Sequence, residues 1–186
     1  MNRLTFTFSL IAVVLTSCGQ NKNSTRDFNR KCVFDNAYML TSDQVDSLNF
    51  LIKKLEQNVG SQIAIWTQVT LDNQNIDSLA NQLANRWGLG REIQDDGVLI
   101  FIAVADRQAR IEVGLGLENI ITDEIAGRLL REDLGPNFVK EKYGLGLYVV
   151  VDKITNLITD NLELVGTRPE YLQRWDSIKS KNKRDE

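Results

Sequence analysis

The run Val98-Leu99-Ile100-Phe101-Ile102-Ala103-Val104-Ala105 constrains the fold more than any other part of the chain. It carries no polar side chain, so as a strand it exposes neither face to water. A strand of this kind needs a layer of structure on each side, as in sheets covered by helices front and back. The polar break Asp106-Arg107-Gln108 follows, and then Ala109 to Val113 alternate as Arg110, Ile111, Glu112, Val113. That alternation marks a half-exposed strand, and the short connection makes the two an antiparallel hairpin.

The flanking segments supply the covering layers. Asp43 to Asn58 reads as a helix, with Val45, Leu48, Leu51, Ile52 and Leu55 on one face, Thr41 and Gln44 in a capping-box spacing, and Gly60 as a stop. Gln62 to Val69 reads as a β-branched strand, and Ile76 to Trp87 as a second helix ended by Gly88 and Gly90. A third helix follows Thr122 and runs to about Leu134, where Pro136 interrupts. A fourth covers about Lys142 to Asn161. The first two strands, joined through the second helix, form a right-handed parallel crossover. The expected fold class is α/β, a three-layer α/β/α sandwich with a small mixed sheet combining that crossover with the hairpin.

Several chemistries are excluded. The 186 residues include no histidine, which removes Ser-His-Asp and Cys-His catalysis and His-ligated zinc. A net charge of −3 with both signs interspersed gives no basic face for nucleic acid. No phosphate-cradling glycine-lysine loop is present.

The amino terminus has Arg3 and then an apolar run from Phe6 to Leu15, the pattern of a signal peptide. Leu15-Thr16-Ser17-Cys18 resembles a bacterial lipobox. The resemblance implies a cleaved signal peptide over 1–17, lipidation of Cys18, and a flexible tether over 18–31. The folded domain is expected over 32–162 and a polar tail over 163–186. Lipidation would hold the domain to a membrane of the cell envelope, facing the periplasm. Cys32 is then alone and reads as a small apolar core residue.

The acids define two candidate ends. A strand of eight residues spans about 25 Å, so Asp95 and Asp96 cannot share a site with Asp106. Chain reversal through the hairpin instead returns the turn Gly114-Leu115-Gly116-Leu117-Glu118 to the end where Asp95 and Asp96 lie. Asp123 and Glu124 open the next helix there. Asp95, Asp96, Glu118 and Asp123 are therefore the expected metal ligands, with Asp106 and Glu124 as secondary candidates. Without histidine the cation would be hard: Ca²⁺, or Mg²⁺ or Mn²⁺. The same residues also suit ordinary structural roles. Asp95-Asp96-Gly97 fits a turn before a strand, and Asp123 and Glu124 fit the dipole at a helix start. The usual rule for open α/β sheets favours the opposite end, with Asp106, Arg107 and the loop from Thr70 to Asn75.

Matched pieces in a fixed order resemble the TPM domain family: Val33-Phe34-Asp35 with Leu40-Thr41, then Trp87-Gly88-Leu89-Gly90, Asp96-Gly97-Val98-Leu99 and Ala105-Asp106-Arg107. Arg110 to Gly114, Gly116-Leu117-Glu118, Thr122-Asp123, Pro136-Asn137-Phe138, and Tyr143 with Gly146-Leu147 continue the match. It covers residues 33 to 160. The resemblance implies a three-layer α/β/α domain found outside the bacterial cytoplasm, with cation binding through aspartates. It also implies a role as an accessory factor for a protein partner in the envelope, or a weak metal-dependent phosphatase activity on phosphomonoesters. Family acidic positions fall on Asp95 or Asp96, Asp106, Glu118 and Asp123. Leu115 stands where the family turn often carries an aromatic. Arg91, Arg110 and Arg128 are candidates for holding a phosphate.

Overall fold

The computed structural model describes residues 31–167. The expected signal peptide, the acylated Cys18 and nearly all of the tether lie outside them, as does the tail beyond Thr167.

Four strands form one sheet in the order β1-β2-β3-β4. They are β1 (Val33–Asp35), β2 (Gln62–Gln68), β3 (Gly97–Ala103) and β4 (Gln108–Val113). β1, β2 and β3 run parallel, and β4 pairs antiparallel with β3, Val98 opposite Val113 and Ala103 opposite Gln108. The expected α/β fold with a mixed sheet is the one observed. β1 is an addition to it. Three residues are too few to show a period of two, and only pairing with Ile65, Trp66 and Thr67 makes them a strand.

Every residue of β3 is buried, and its side chains divide by parity. Val98, Ile100 and Ile102 join Ile63, Ile65 and Ile111 in one core with Leu48, Ile52 and Leu55 of α1 (Ser42–Val59). Leu147, Val150, Val151, Ile154 and Ile158 of a long late helix, α5 (Tyr143–Asp160), complete that layer. Leu99, Phe101 and Ala103 face the other way, against Ile76 and Ala80 of α2 (Ile76–Trp87). The uninterrupted apolar run thus has its physical cause: each face of β3 has its own core.

α1 begins with the expected capping box. Thr41 Oγ1 accepts from Gln44 N–H at 3.3 Å, and Gln44 Oε1 accepts from Thr41 N–H at 3.0 Å. Gly60 ends the helix at φ +91°, a conformation that costs glycine little.

The third helix departs from expectation. α3 (Asp123–Arg128) passes into a π-helical turn over Leu129–Leu134, then into a short α4 (Gly135–Phe138) with Pro136 in its first turn. Pro136 has no N–H to donate, so the chain widens just before it. Gly135 N–H reaches back to Leu130 C=O, and the proline takes an opening position where no donor is needed. Among the described residues, no helix is long and apolar enough to cross a membrane.

Candidate functional site

The end of the sheet where the acids were expected to converge is built by two glycine-containing turns. The loop from Gly88 to Asp96 leads into β3, and the turn from Gly114 to Glu118 leaves β4. Gly114 N–H donates to Gly97 C=O at 2.8 Å, and Gly116 N–H donates to Asp95 C=O at 3.0 Å. A Cβ at Gly116 would collide with the carbonyl of Gln94, which is why only glycine serves there. Chain reversal through the hairpin therefore does bring the two acidic segments together at the level of the backbone.

The side chain of Asp96 is committed to partners within the domain. Asp96 is 0% exposed, and its carboxylate is turned inward. Oδ2 accepts from Arg91 Nη2 at 2.6 Å, Arg91 Nε at 2.9 Å and Ser61 Oγ at 2.8 Å, and Oδ1 accepts from Arg91 N–H at 2.7 Å. Arg91 thus grips one carboxylate with two side-chain nitrogens and its own main chain. Both oxygens are occupied, and the charge is compensated in place. The guanidinium lies over Gly60, where a Cβ would meet Nη1 at 2.8 Å. Asp96 is an internal anchor tying the Gly88–Asp96 loop to the start of β2.

Asp95 takes a left-handed turn conformation, φ 49°, as a turn at Asp95-Asp96-Gly97 requires. Glu118 follows a short 3₁₀ turn, Leu115–Leu117. Asp123 and Glu124 occupy the first turn of α3, behind the N-cap Thr122, whose Oγ1 accepts from Ile125 N–H at 3.3 Å. Their charge there complements the helix terminus. Among the described residues, no group of three or more His, Cys, Asp or Glu side chains is placed to hold a metal ion. Of the expected ligands Asp95, Asp96, Glu118 and Asp123, Asp96 has both carboxylate oxygens engaged by Arg91 and Ser61.

The opposite end, at the carboxyl ends of β1, β2 and β3, has a different character. Asp106 Oδ2 accepts from Leu71 N–H at 2.8 Å, tying the hairpin to the loop after β2. Asp35, not singled out from sequence, accepts from Thr67 Oγ1 at 2.6 Å and from the N–H groups of Met39 and Leu40. These anchors shape loops that hold Tyr38, Asp72, Asn73 and Arg107 at φ between 49° and 63°. Glu141, between α4 and α5, is held at φ 56°. It belongs to the same end, because Gly144 at the start of α5 abuts Gln44 at the start of α1. Tyr38 is 91% exposed, Val139 86% and Val69 58%, so three large apolar side chains stand in water on this rim. Tyr38 and Val139 lie in loops, where no periodic pattern marks them in the sequence, and Val69, expected to end the β-branched strand, falls just beyond β2.

The chain matches the family described as the TPM domain over residues 33–157. It belongs to the TPM domain family. No curated protein matches it. Among solved structures, this TPM domain is similar to the N-terminal domain of a protein from P. gingivalis, at 25% identity and a TM-score of 0.66, covering 72% of this chain and 85% of that one. It is also similar to the BA42 protein from Bizionia argentinensis, at 18% identity and a TM-score of 0.57, over 70% of this chain and 87% of that one. The N-terminal domain of the cg2496 protein from Corynebacterium glutamicum shares 11% identity at a TM-score of 0.56, over 72% of this chain and 83% of that one. The last two likenesses concern the fold alone. Of the acidic positions the resemblance carried over, Asp96 and Asp106 hold the TPM domain's own loops in place.

Proposed function

We propose that this TPM domain is a lipid-tethered interaction module of the cell envelope, facing the periplasm. Its binding surface is the loop rim at the carboxyl ends of β1, β2 and β3. The observation that carries this reading is the pairing of held, left-handed loops with exposed Tyr38, Val69 and Val139 at one end of the sheet. Loops of sparsely populated conformation persist where surrounding contacts hold them, and they gather at functional sites. Exposed aromatic and branched side chains on a rigid scaffold suit recognition of a protein surface. The chain enters the domain at Lys31, at the opposite end of β1, and Gly166 N–H bonds Gly116 C=O at that same far end.

The competing reading is metal-dependent hydrolysis of phosphomonoesters at the acidic end. Two assays separate them. Incorporation of labelled palmitate by intact cells, lost in Cys18→Ala, tests the tether. Hydrolysis of an aryl phosphate by the purified chain, with and without calcium, magnesium or manganese, tests the chemistry. Turnover is expected to stay at background. Cation-dependent turnover that disappears in a folded Asp123→Ala variant would replace the module with an enzyme. In envelopes, a photo-crosslinker at Tyr38 is expected to give a discrete adduct that Val139→Asp abolishes without lowering the melting temperature.

A further inference from the structure

α1 and α5 lie side by side, and their starts coincide, because a Cβ at Gly144 would run into the Gln44 side chain. Both helices run away from the loop rim over one shared core. An ordinary surface helix buries one stripe and gives the other to water. Here each helix is apolar on both sides. In α1, Leu48, Ile52 and Leu55 are buried, and Phe50, on the opposite side, is 73% exposed. In α5, Leu147, Val150 and Val151 are buried, while Leu145 and Tyr148 are 51% and 43% exposed. At about 1.5 Å per residue from the Gln44–Gly144 contact, Phe50 lies about 9 Å along α1 and Tyr148 about 6 Å along α5. The two rings stand at neighbouring levels on adjacent helices, and with Leu145 they make one apolar patch. A lone exposed apolar side chain is ordinary, whereas a group of them marks a contact site.

The chain itself continues within reach of the patch. After α5 it passes through a 3₁₀ turn, Leu162–Leu164, and Thr167 N–H donates to Leu164 C=O at 3.3 Å. Gly166 N–H bonds Gly116 C=O, which fixes the exit at the end of the sheet remote from the rim. Further along the sequence, Tyr171, Leu172, Trp175 and Ile178 have the spacing of a helix with one apolar face. Every other position from Glu170 to Lys179 is polar, and Pro169 suits a first helical turn. Length decides the fit. From Asp160 back to Tyr148 is about 18 Å along α5. Thr167 to Glu170 covers about 10 Å when extended, and Glu170 to Trp175 about 8 Å as helix. Trp175 thus reaches the level of Phe50 and Tyr148, and Ile178, about one turn on, that of Leu145.

We infer that the segment from Glu170 to Lys179 docks as a helix across α1 and α5, antiparallel to both. Trp175 rests against Phe50 and Tyr148, and Ile178 against Leu145. Removing the apolar surface of both partners from water stabilises the docked state. The exit point gives the direction, because a segment leaving the far end must run back toward the rim to meet the patch. Charge sets no direction. Asp43, Asp46, Lys53 and Lys54 on α1 border the patch with both signs, as do Asp152 and Lys153 on α5, the latter held by Asp133. The segment carries both signs as well, with Glu170, Arg174 and Asp176. The docked helix closes the outer side of the helical layer and leaves the loop rim open, so docking and rim binding are independent of each other.

The test uses the full chain labelled with 5-fluorotryptophan, whose three tryptophans are Trp66, Trp87 and Trp175. Trp175→Phe identifies the Trp175 ¹⁹F signal. That signal is expected away from the free-indole position and shielded from a soluble paramagnetic agent. Phe50→Asp with Tyr148→Asp, both at exposed positions, is expected to move it to the free-indole position. The Trp66 and Trp87 signals then stay where they were, which shows that the fold is kept. In a ¹⁵N-labelled chain, Trp175→Asp is expected to shift the amide signals of Phe50, Leu145 and Tyr148. The inference is overturned if Trp175 of the unaltered chain resonates as a free indole, or if the double substitution leaves its signal in place. Amide shifts from Trp175→Asp that miss α1 and α5 also overturn it. So does a Trp175 signal that reverts to the free-indole position on dilution, which makes a second copy the occupant.

Discussion

Asp96 shows how one side chain's surroundings decide its role. A buried carboxylate with two arginine nitrogens, a serine hydroxyl and a main-chain N–H on its oxygens is a structural tie. Arg91→Ala would leave that charge buried without its partner, and a loss of about 3 kcal/mol is expected, read by urea unfolding. Asp96→Ala removes the charge but strands the donors of Ser61 and Arg91, and a loss of about 2 kcal/mol is expected. A stability equal to that of the unaltered protein in both variants contradicts the role given to the pair. Any activity assay that relies on Asp96→Ala must therefore include a check of the fold. Cys32 makes a second prediction at this scale. Burial, and then the negative charge of Glu56, push its thiol upward from the ordinary range, while Lys53 pulls it down. A raised pKa means the folded state holds the proton more tightly than the unfolded chain. The resulting stability is present below the unfolded value, about 8.5, and is lost as pH rises through the folded value. Alkylation of Cys32 is expected to require higher pH than a free thiol, and higher still in Lys53→Gln. A lower onset in Lys53→Gln contradicts the assigned charge effect.

At the scale of elements, local signals are most legible where hydrogen bonds close within a few residues. The Thr41–Gln44 capping box and the Gly60 stop both lie in a short window of sequence, and the expected first helix matches α1 to within a residue at each end. Thr41→Ala is expected to cost about 1 kcal/mol, measured by thermal unfolding. No change on that substitution would mean the cap is idle. The segment from Leu129 to Phe138 is less legible. Pro136 reads as a break in any local scheme, yet the π-helical turn before it absorbs the missing hydrogen bond and keeps the chain on the same side of the sheet. That accommodation depends on packing of Leu129 and Leu134 into the core, which no local window contains. Pro136→Ala is expected to leave the melting temperature within a few degrees of the original, since the N–H it restores sits in a first helical turn with no required partner.

For the whole molecule, the expectation most exposed to test concerns the cation. With Asp96 held by Arg91, millimolar calcium is expected to leave the melting temperature unchanged, because a ligand stabilises only by binding the folded state. A calcium-dependent rise lost in Asp123→Ala would restore an oxygen-lined site at the acidic end. The sequence by itself determined the layered architecture. A strand with no polar position must be covered twice, and the helical periodicities flanking it say by what. It also determined the chain reversal that returns the Gly114–Glu118 turn to the Asp95–Gly97 segment. Only the tertiary structure decided where the carboxylate of Asp96 points, that Val33 to Asp35 pair as an edge strand, and that Tyr38, Val69 and Val139 come to stand at the end remote from Lys31. The physical reason is the range of the interactions. Periodicity and caps are written within one turn or one strand, whereas the partner of a buried charge, the neighbour of a three-residue strand and the company of a loop residue are set by segments far apart in the chain.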